Sequence, residues 1–274
     1  MNPIDRLFAE LRREGRKAFI PFVPAGDPSL SATGDLLREV AHCGADLVEI
    51  GFPYSDPIAD GPVIQASYTR ALRRGLKTSQ IFSEASRWRQ TVSIPWIAMA
   101  SYSLVYRAGP EAFCDKARSA GFSGLVVPDL PVEEAGPLLR TAQALDLKLI
   151  QLVAPTTPRE RAARIAELSS GFLYCVSVTG ITGVRDELPS ELLEQLSWLR
   201  RQTSLPICVG FGISKPAHIR MLRDHADGII VGSAIVRILA EADQRPWNEV
   251  LGDIGALVRS LTAALKPDPS QASV

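Results

Sequence analysis

The stretch PICVGFGISKPAHIRMLRDHADGIIVGSAIV, residues 206–236, decides the fold. It opens on an apolar run, PICVGF, turns through glycine to Ser214 and Pro216, where a helix starts, and returns to a second apolar run, GIIVGS from Gly228, before another helix opens at Ser233. Pro at a first helical position gives up an N–H that would lack an intrahelical partner anyway, and its fixed φ suits the helix. Both runs are continuously apolar rather than alternating, as strands covered on both faces are, and parallel strands need a helical crossover of this length. The unit is strand, helix, strand.

Outward from that stretch the unit repeats. Apolar runs stand at AFIPFV from Ala18, ADLVEI from Ala45, PWIAMA from Pro95, GLVVPD from Gly124, LKLIQLV from Leu147 and FLYCVSV from Phe172, giving eight with the two above. The segments between them carry helical periodicity: Leu192, Leu193, Leu196 and Leu199 form one stripe, and Leu138, Leu139, Ala142 and Leu145 another. Thr157-Pro158-Arg159-Glu160 reads as a capping box with Pro at the first helical position. Eight strand-helix units close most economically as a single (β/α)8 TIM barrel, with an extra N-terminal helix over about residues 3–14 to cover its bottom. A doubly wound open sheet competes, but the glycine fingerprint expected after its first strand is replaced by PAGDPS. No linker or compositional break divides residues 1–274, so one domain is expected, with a frayed tail over about 266–274.

Composition narrows the function. The 274 residues carry 30 Lys+Arg against 30 Asp+Glu, a net charge of zero, with 46% hydrophobic residues. That gives no basic footprint for nucleic acid or an anionic membrane, and no window of eighteen apolar residues occurs. Cys43, Cys114, Cys175 and Cys208 lie far apart without any CxxC, so neither a disulfide framework nor a zinc cluster is indicated, and a cytoplasmic location is expected.

In a barrel the chemistry sits at the C-terminal strand ends. The second strand places Glu49 among Leu47, Val48 and Ile50 and feeds the loop GFPYSDPIADGP, which carries Asp56 and Asp60. A carboxylate in such surroundings is costly unless it is partnered or used, and desolvation raises its pKa toward values suited to proton transfer. A structural carboxylate bonded to a neighbouring strand or loop is the alternative for Glu49, and ordinary turn chemistry is the alternative for Asp60; Asp56 reads as a turn-former. Three glycine-rich exits follow, VTGITGV, GFGIS and GSAIV, whose backbone N–H groups suit an anion and make a phosphate site without a dedicated Lys or Arg. His42, His218 and His225 fall on helical segments, so a metal site is not expected, and no lysine is placed for a Schiff base. Phe22, Tyr174 and Phe211 could line a slot for a flat ring, though each taken singly is more often core than pocket.

The segment VEIGFPYSDPIADGPVIQ resembles the signature of the tryptophan synthase alpha chain family. FIPFVPAGDPS, VPDLPVEE, LVAPTTP, SVTGITG, VGFGIS and VGSAIV agree with it in register, from about residue 3 to residue 260. The resemblance implies retro-aldol cleavage of indole-3-glycerol phosphate to indole and glyceraldehyde 3-phosphate, with no cofactor on this chain. It assigns Glu49 as principal acid and base and Asp60 as second carboxylate. Thr182 contacts that carboxylate on closure, Gly183, Gly212, Gly232 and Ser233 form the phosphate cradle, and Phe22, Tyr174 and Phe211 form the indole pocket. It further implies an α2β2 assembly with a beta subunit that carries pyridoxal phosphate, receives indole through a tunnel and closes loops at roughly 53–62 and 179–190. After the third strand the chain departs from the family, with Ser103 where an Asn is common, in a segment that meets the partner. A sugar-phosphate isomerase or epimerase, and a catalytically silent regulatory subunit, are the competing readings.

Overall fold

All eight apolar runs form strands with two dry faces. The computed structural model describes residues 1–57, 60–177, 189–210 and 212–266. Within these, β1 (Ala18–Pro24), β2 (Val48–Gly51), β3 (Trp96–Met99), β4 (Gly124–Val126), β5 (Lys148–Ile150, continued beyond Gln151 by Leu152–Val153), β6 (Leu173–Val176), β7 (Ile207–Gly210) and β8 (Gly228–Val231) are the strands. Every pairing is parallel, running from the first half of β5 through β4, β3, β2, β1, β8, β7 and β6 to the second half of β5. The two ends of this sheet are therefore one crossing of the chain, interrupted at Gln151, and the sheet closes into the expected barrel.

The period-two geometry of a strand sorts its side chains between two layers. Ala18, Ile20, Leu47, Ile97, Val126, Ile150, Phe172, Tyr174, Cys208 and Ile230 fill the interior, while Phe19, Val23, Val48, Ile50, Ala98, Leu125, Cys175, Val209 and Ile229 pack outward against the helices. Those helices are α1 (Pro3–Arg13), α2 (Leu30–His42), α3 (Pro62–Arg73), α4 (Thr78–Trp88), α5 (Tyr102–Ala108), α6 (Pro110–Ser119), α7 (Gly136–Ala144), α8 (Arg159–Leu168), α9 (Ser190–Gln202), α10 (Pro216–Leu222), α11 (Ser233–Leu239) and α12 (Trp247–Leu265). The predicted stripes are the buried faces of α9 and α7, through Leu192, Leu196 and Leu199 and through Leu138, Leu139 and Ala142.

The extra helix α1 plugs the bottom of the barrel, because Ile4, Phe8 and Leu11 join the interior layer and Phe8 meets Phe172 at 5.7 Å between ring centroids. Asn2 anchors it: its Oδ1 accepts from the Ile4 N–H at 2.9 Å, and its Nδ2 donates to the carbonyls of Ser123 and Asp146. Lys148 sits at this same end, paired with Asp5 at 2.6 Å.

Three local expectations change. Thr157 does not cap α8: its hydroxyl accepts from the Ala154 N–H at 3.0 Å and closes the preceding turn, leaving Pro158 before the helix. Ser214 does not cap α10, which begins at Pro216 with Lys215 as the flanking residue. His225 lies in the turn after α10 rather than within a helix. All four cysteines are free and buried, and no described helix is long and apolar enough to cross a membrane.

Candidate active site

Inward-facing positions near the C-terminal ends of β1, β2 and β6 decide what lines the barrel mouth. Phe22 pairs in register with Glu49, and Glu49 in turn with Ile97. Beyond Glu49 the next inward position on β2 is Gly51, where a Cβ would lie 2.4 Å from Phe22 and 2.5 Å from the Tyr68 hydroxyl; on β7, a Cβ at Gly210 would lie 2.5 Å from the Tyr174 hydroxyl. Glycine at these two positions makes room for the three rings.

Glu49 is 1% exposed, and neither carboxylate oxygen has a hydrogen-bond partner among the described residues. A fully buried, unpartnered carboxylate cannot ionise cheaply, and burial alone pushes its pKa up to about 8. The structural alternative required a bond to a neighbouring strand or loop, and none is made among the described residues.

Asp60 stands at the foot of α3. Its N–H donates to the Pro57 carbonyl at 3.1 Å, and the Gln65 side chain reaches back from α3 to the carbonyls of Pro57 at 3.1 Å and Asp60 at 2.8 Å. Burial raises the Asp60 pKa to about 6; a hydrogen bond from Tyr54 works against the shift, and the Asp129 charge adds to it. Asp56, bonded to Ser55, is off the cavity wall, as a turn-former would be.

Both carboxylates face one cavity of about 340 Å³, within the range of small-molecule sites. Phe22, Tyr174, Met99, Ile64 and Ile230 supply its apolar wall, and Gly212, Gly232 and Ser233 belong to the exits after β7 and β8. Gly212 adopts φ 74°, a backbone that disfavours any other residue. Every predicted site residue that is described therefore lines a single cavity; Thr182, Gly183 and Phe211, and with them much of the exit after β6, lie outside the described residues. The sequence reading missed Met99, Ile64 and Ile230, which resemble core residues in composition. It also expected the glycine exits to serve an anion without a dedicated Lys or Arg, whereas Arg237 is part of the cavity wall. The signal was available: Arg237 follows Ser233 by four residues and so shares its helical face. No group of three His, Cys, Asp or Glu able to hold a metal ion occurs among the described residues.

A closed parallel barrel with two carboxylates of raised pKa at its mouth, over an apolar slot with glycine exits at one end, defines a barrel enzyme working by proton transfer on a substrate that is part apolar and part anionic. The tryptophan synthase alpha chain family profile matches residues 8–265. A tryptophan synthase alpha chain of Rhodopirellula baltica is 51% identical over 248 residues, 89% of each chain, and one of Rippkaea orientalis is 46% identical over 269 residues, 98% of this chain and all of the relative. The crystal structure of tryptophan synthase subunit alpha from Legionella pneumophila superposes with a TM-score of 0.87 at 34% identity, covering 97% of this chain and 98% of that one. The chain belongs to the tryptophan synthase alpha chain family. It is accordingly a lyase of tryptophan biosynthesis that cleaves indole-3-glycerol phosphate.

Proposed function

We propose that Glu49 performs both proton transfers of this cleavage and that Asp60 stabilises the charge that develops between them. The observation that carries the reading is the buried, unpartnered carboxyl of Glu49 facing an apolar slot. With a pKa of about 8 it carries a proton at neutral pH, while Asp60, at about 6, is largely ionised. Glu49 donates its proton to indole C3, which makes the ring an iminium-like electron sink. The resulting Glu49 carboxylate takes the proton of the glycerol C3′ hydroxyl; the bond between indole C3 and the glycerol chain breaks, its electrons restore the aromatic ring, and the acid is regenerated. Asp60 faces the indole nitrogen, where positive charge peaks in the intermediate. Phe22, Tyr174 and Phe211 hold the ring; Gly183, Gly212, Gly232 and Ser233 receive the phosphate, and Thr182 meets Asp60 on closure.

The family relationship supports action as one half of a complex. We read the assembly as α2β2, with pyridoxal phosphate on the beta subunit alone, no organic cofactor or metal on this chain, and a cytoplasmic setting. Glu49→Gln is expected to abolish indole formation while substrate still binds, and Asp60→Asn to lower turnover by about 10²-fold or more, the scale of one general acid or base. Steady-state indole release with and without the beta subunit, paired with calorimetric substrate binding, measures both; undiminished turnover in Glu49→Gln overturns the assignment.

A further inference from the structure

We propose that Arg237 neutralises the anionic end of the substrate and sets the enzyme's preference for a phosphate ester over an uncharged glycerol terminus. The cavity wall contains Glu49 and Asp60 and, among the described residues, a single cation, Arg237. A phosphate dianion entering this space meets a carboxylate that is ionised at neutral pH, and glycine N–H groups offer it only dipoles. Arg237 stands on the same face of α11 as Ser233, one turn further along, so its side chain borders the end of the cavity formed by Gly212, Gly232 and Ser233. It makes no ion pair or hydrogen bond with any described residue, unlike Arg70, Arg74, Arg200 and Arg245, each of which holds a carboxylate. Its guanidinium is exposed at the rim, free to present a planar fork of donors to phosphate oxygens, a geometry that suits two parallel charge-assisted bonds.

This rests on the reading of the glycine exits as a phosphate site, and the test separates the two. Glycerol 3-phosphate is titrated as a competitive inhibitor against wild type, Arg237→Gln and Arg237→Lys, each in complex with the beta subunit, and turnover of indole-3-glycerol phosphate is compared with that of dephosphorylated indole-3-glycerol. The expected result is a rise on the order of tenfold in both the inhibition constant and KM for Arg237→Gln, only part of it recovered by Arg237→Lys, which restores the charge but not the fork, with kcat/KM for the dephosphorylated substrate unaffected by the substitution. If wild type is not inhibited by glycerol 3-phosphate, the phosphate site itself is misread. If wild type is inhibited and Arg237→Gln equally so, or if the variant loses as much on the dephosphorylated substrate as on the ester, Arg237 does not bind the phosphate and the proposal fails.

Discussion

Glu49 is the residue on which stability turns and, in the mechanism proposed above, the chemistry as well, because its neutral form is what the fold tolerates. In the folded protein it keeps its proton up to about pH 8, whereas in an unfolded chain it releases it near the ordinary value of 4.5. Between those limits the folded state binds more protons than the unfolded one, so stability falls as pH rises; the penalty is absent below about 4.5 and complete above about 8. A shift of this size corresponds to a penalty on the order of 5 kcal/mol. Glu49→Gln removes the titrating proton but leaves a buried polar group, whose cost does not depend on pH. The variant's melting temperature, measured against wild type at pH 5 and at pH 8.5, is therefore expected to gain several degrees relative to wild type across that interval; a gap that stays constant contradicts the buried neutral acid. This residue was legible in the sequence because a carboxylate inside an unbroken apolar run has no bland explanation unless a partner exists. Arg237 was passed over: its spacing from Ser233 places both on one helical face, but an arginine on a short helix otherwise looks like a solvated surface residue until the helix is docked.

At the scale of the element, α3 holds the loop that leads to Asp60 in place. Asp27, in the exit after β1 and 2% exposed, accepts from Ser67 Oγ at 2.6 Å, from Arg70 Nε at 3.1 Å and Nη2 at 2.5 Å, and from Arg74 Nη1 at 3.2 Å. Ser67 and Arg70 lie on α3 and Arg74 caps its C-terminal end, from which it extends the network to Asp243. The same helix carries Gln65, whose amide clamps the carbonyls of Pro57 and Asp60 on either side of the loop's turn. Anchoring the helix from the β1 exit thus fixes the approach of Asp60 to Glu49. Removing the acceptor leaves two guanidinium groups and a buried hydroxyl without it, and breaking such a partly buried network costs about 3 kcal/mol. Asp27→Ala is expected to lower the urea midpoint accordingly, with the denaturant slope unchanged, and to reduce kcat/KM at temperatures where the variant is still fully folded. Full activity in the folded variant would show that the loop needs no such anchor. The sequence displayed Asp27 only as part of the PAGDPS turn; its partners lie some 40 residues away, and local pattern cannot disclose a bond across two βα units.

For the whole molecule, the barrel was legible because both faces of every strand are dry, and dryness on both faces erases alternation from the sequence. Eight runs and seven crossovers left few topologies, and α1 was recognisable as surplus to them. Helix starts were less legible: Thr157 and Ser214 have the chemistry of caps, yet the first is engaged by the preceding turn and the second stands one residue too early. The remaining question at this scale is how the rim meets its partner. On the rim, α5 presents Tyr106, 72% exposed, with the Tyr102 ring tilted against it at 6.1 Å between centroids. Ser103, at the position where the family commonly carries Asn, bonds to Ser101 Oγ at 2.8 Å, and Ser101 Oγ donates to Asp129 Oδ2 at 2.6 Å while the Tyr102 N–H donates to Asp129 Oδ1 at 2.7 Å. Ser103 is thereby part of a bridge between the exits of β3 and β4, beside the exposed Tyr106. Large apolar side chains held open to water at a rim favour association, since covering them removes apolar area from solvent. The chain is therefore expected to associate with its beta subunit despite the altered residue, reaching the light-scattering mass of an α2β2 complex on titration and releasing indole faster than the isolated chain. A chain that remains monomeric through that titration would mean that Ser103 has cost the interface rather than repacked it.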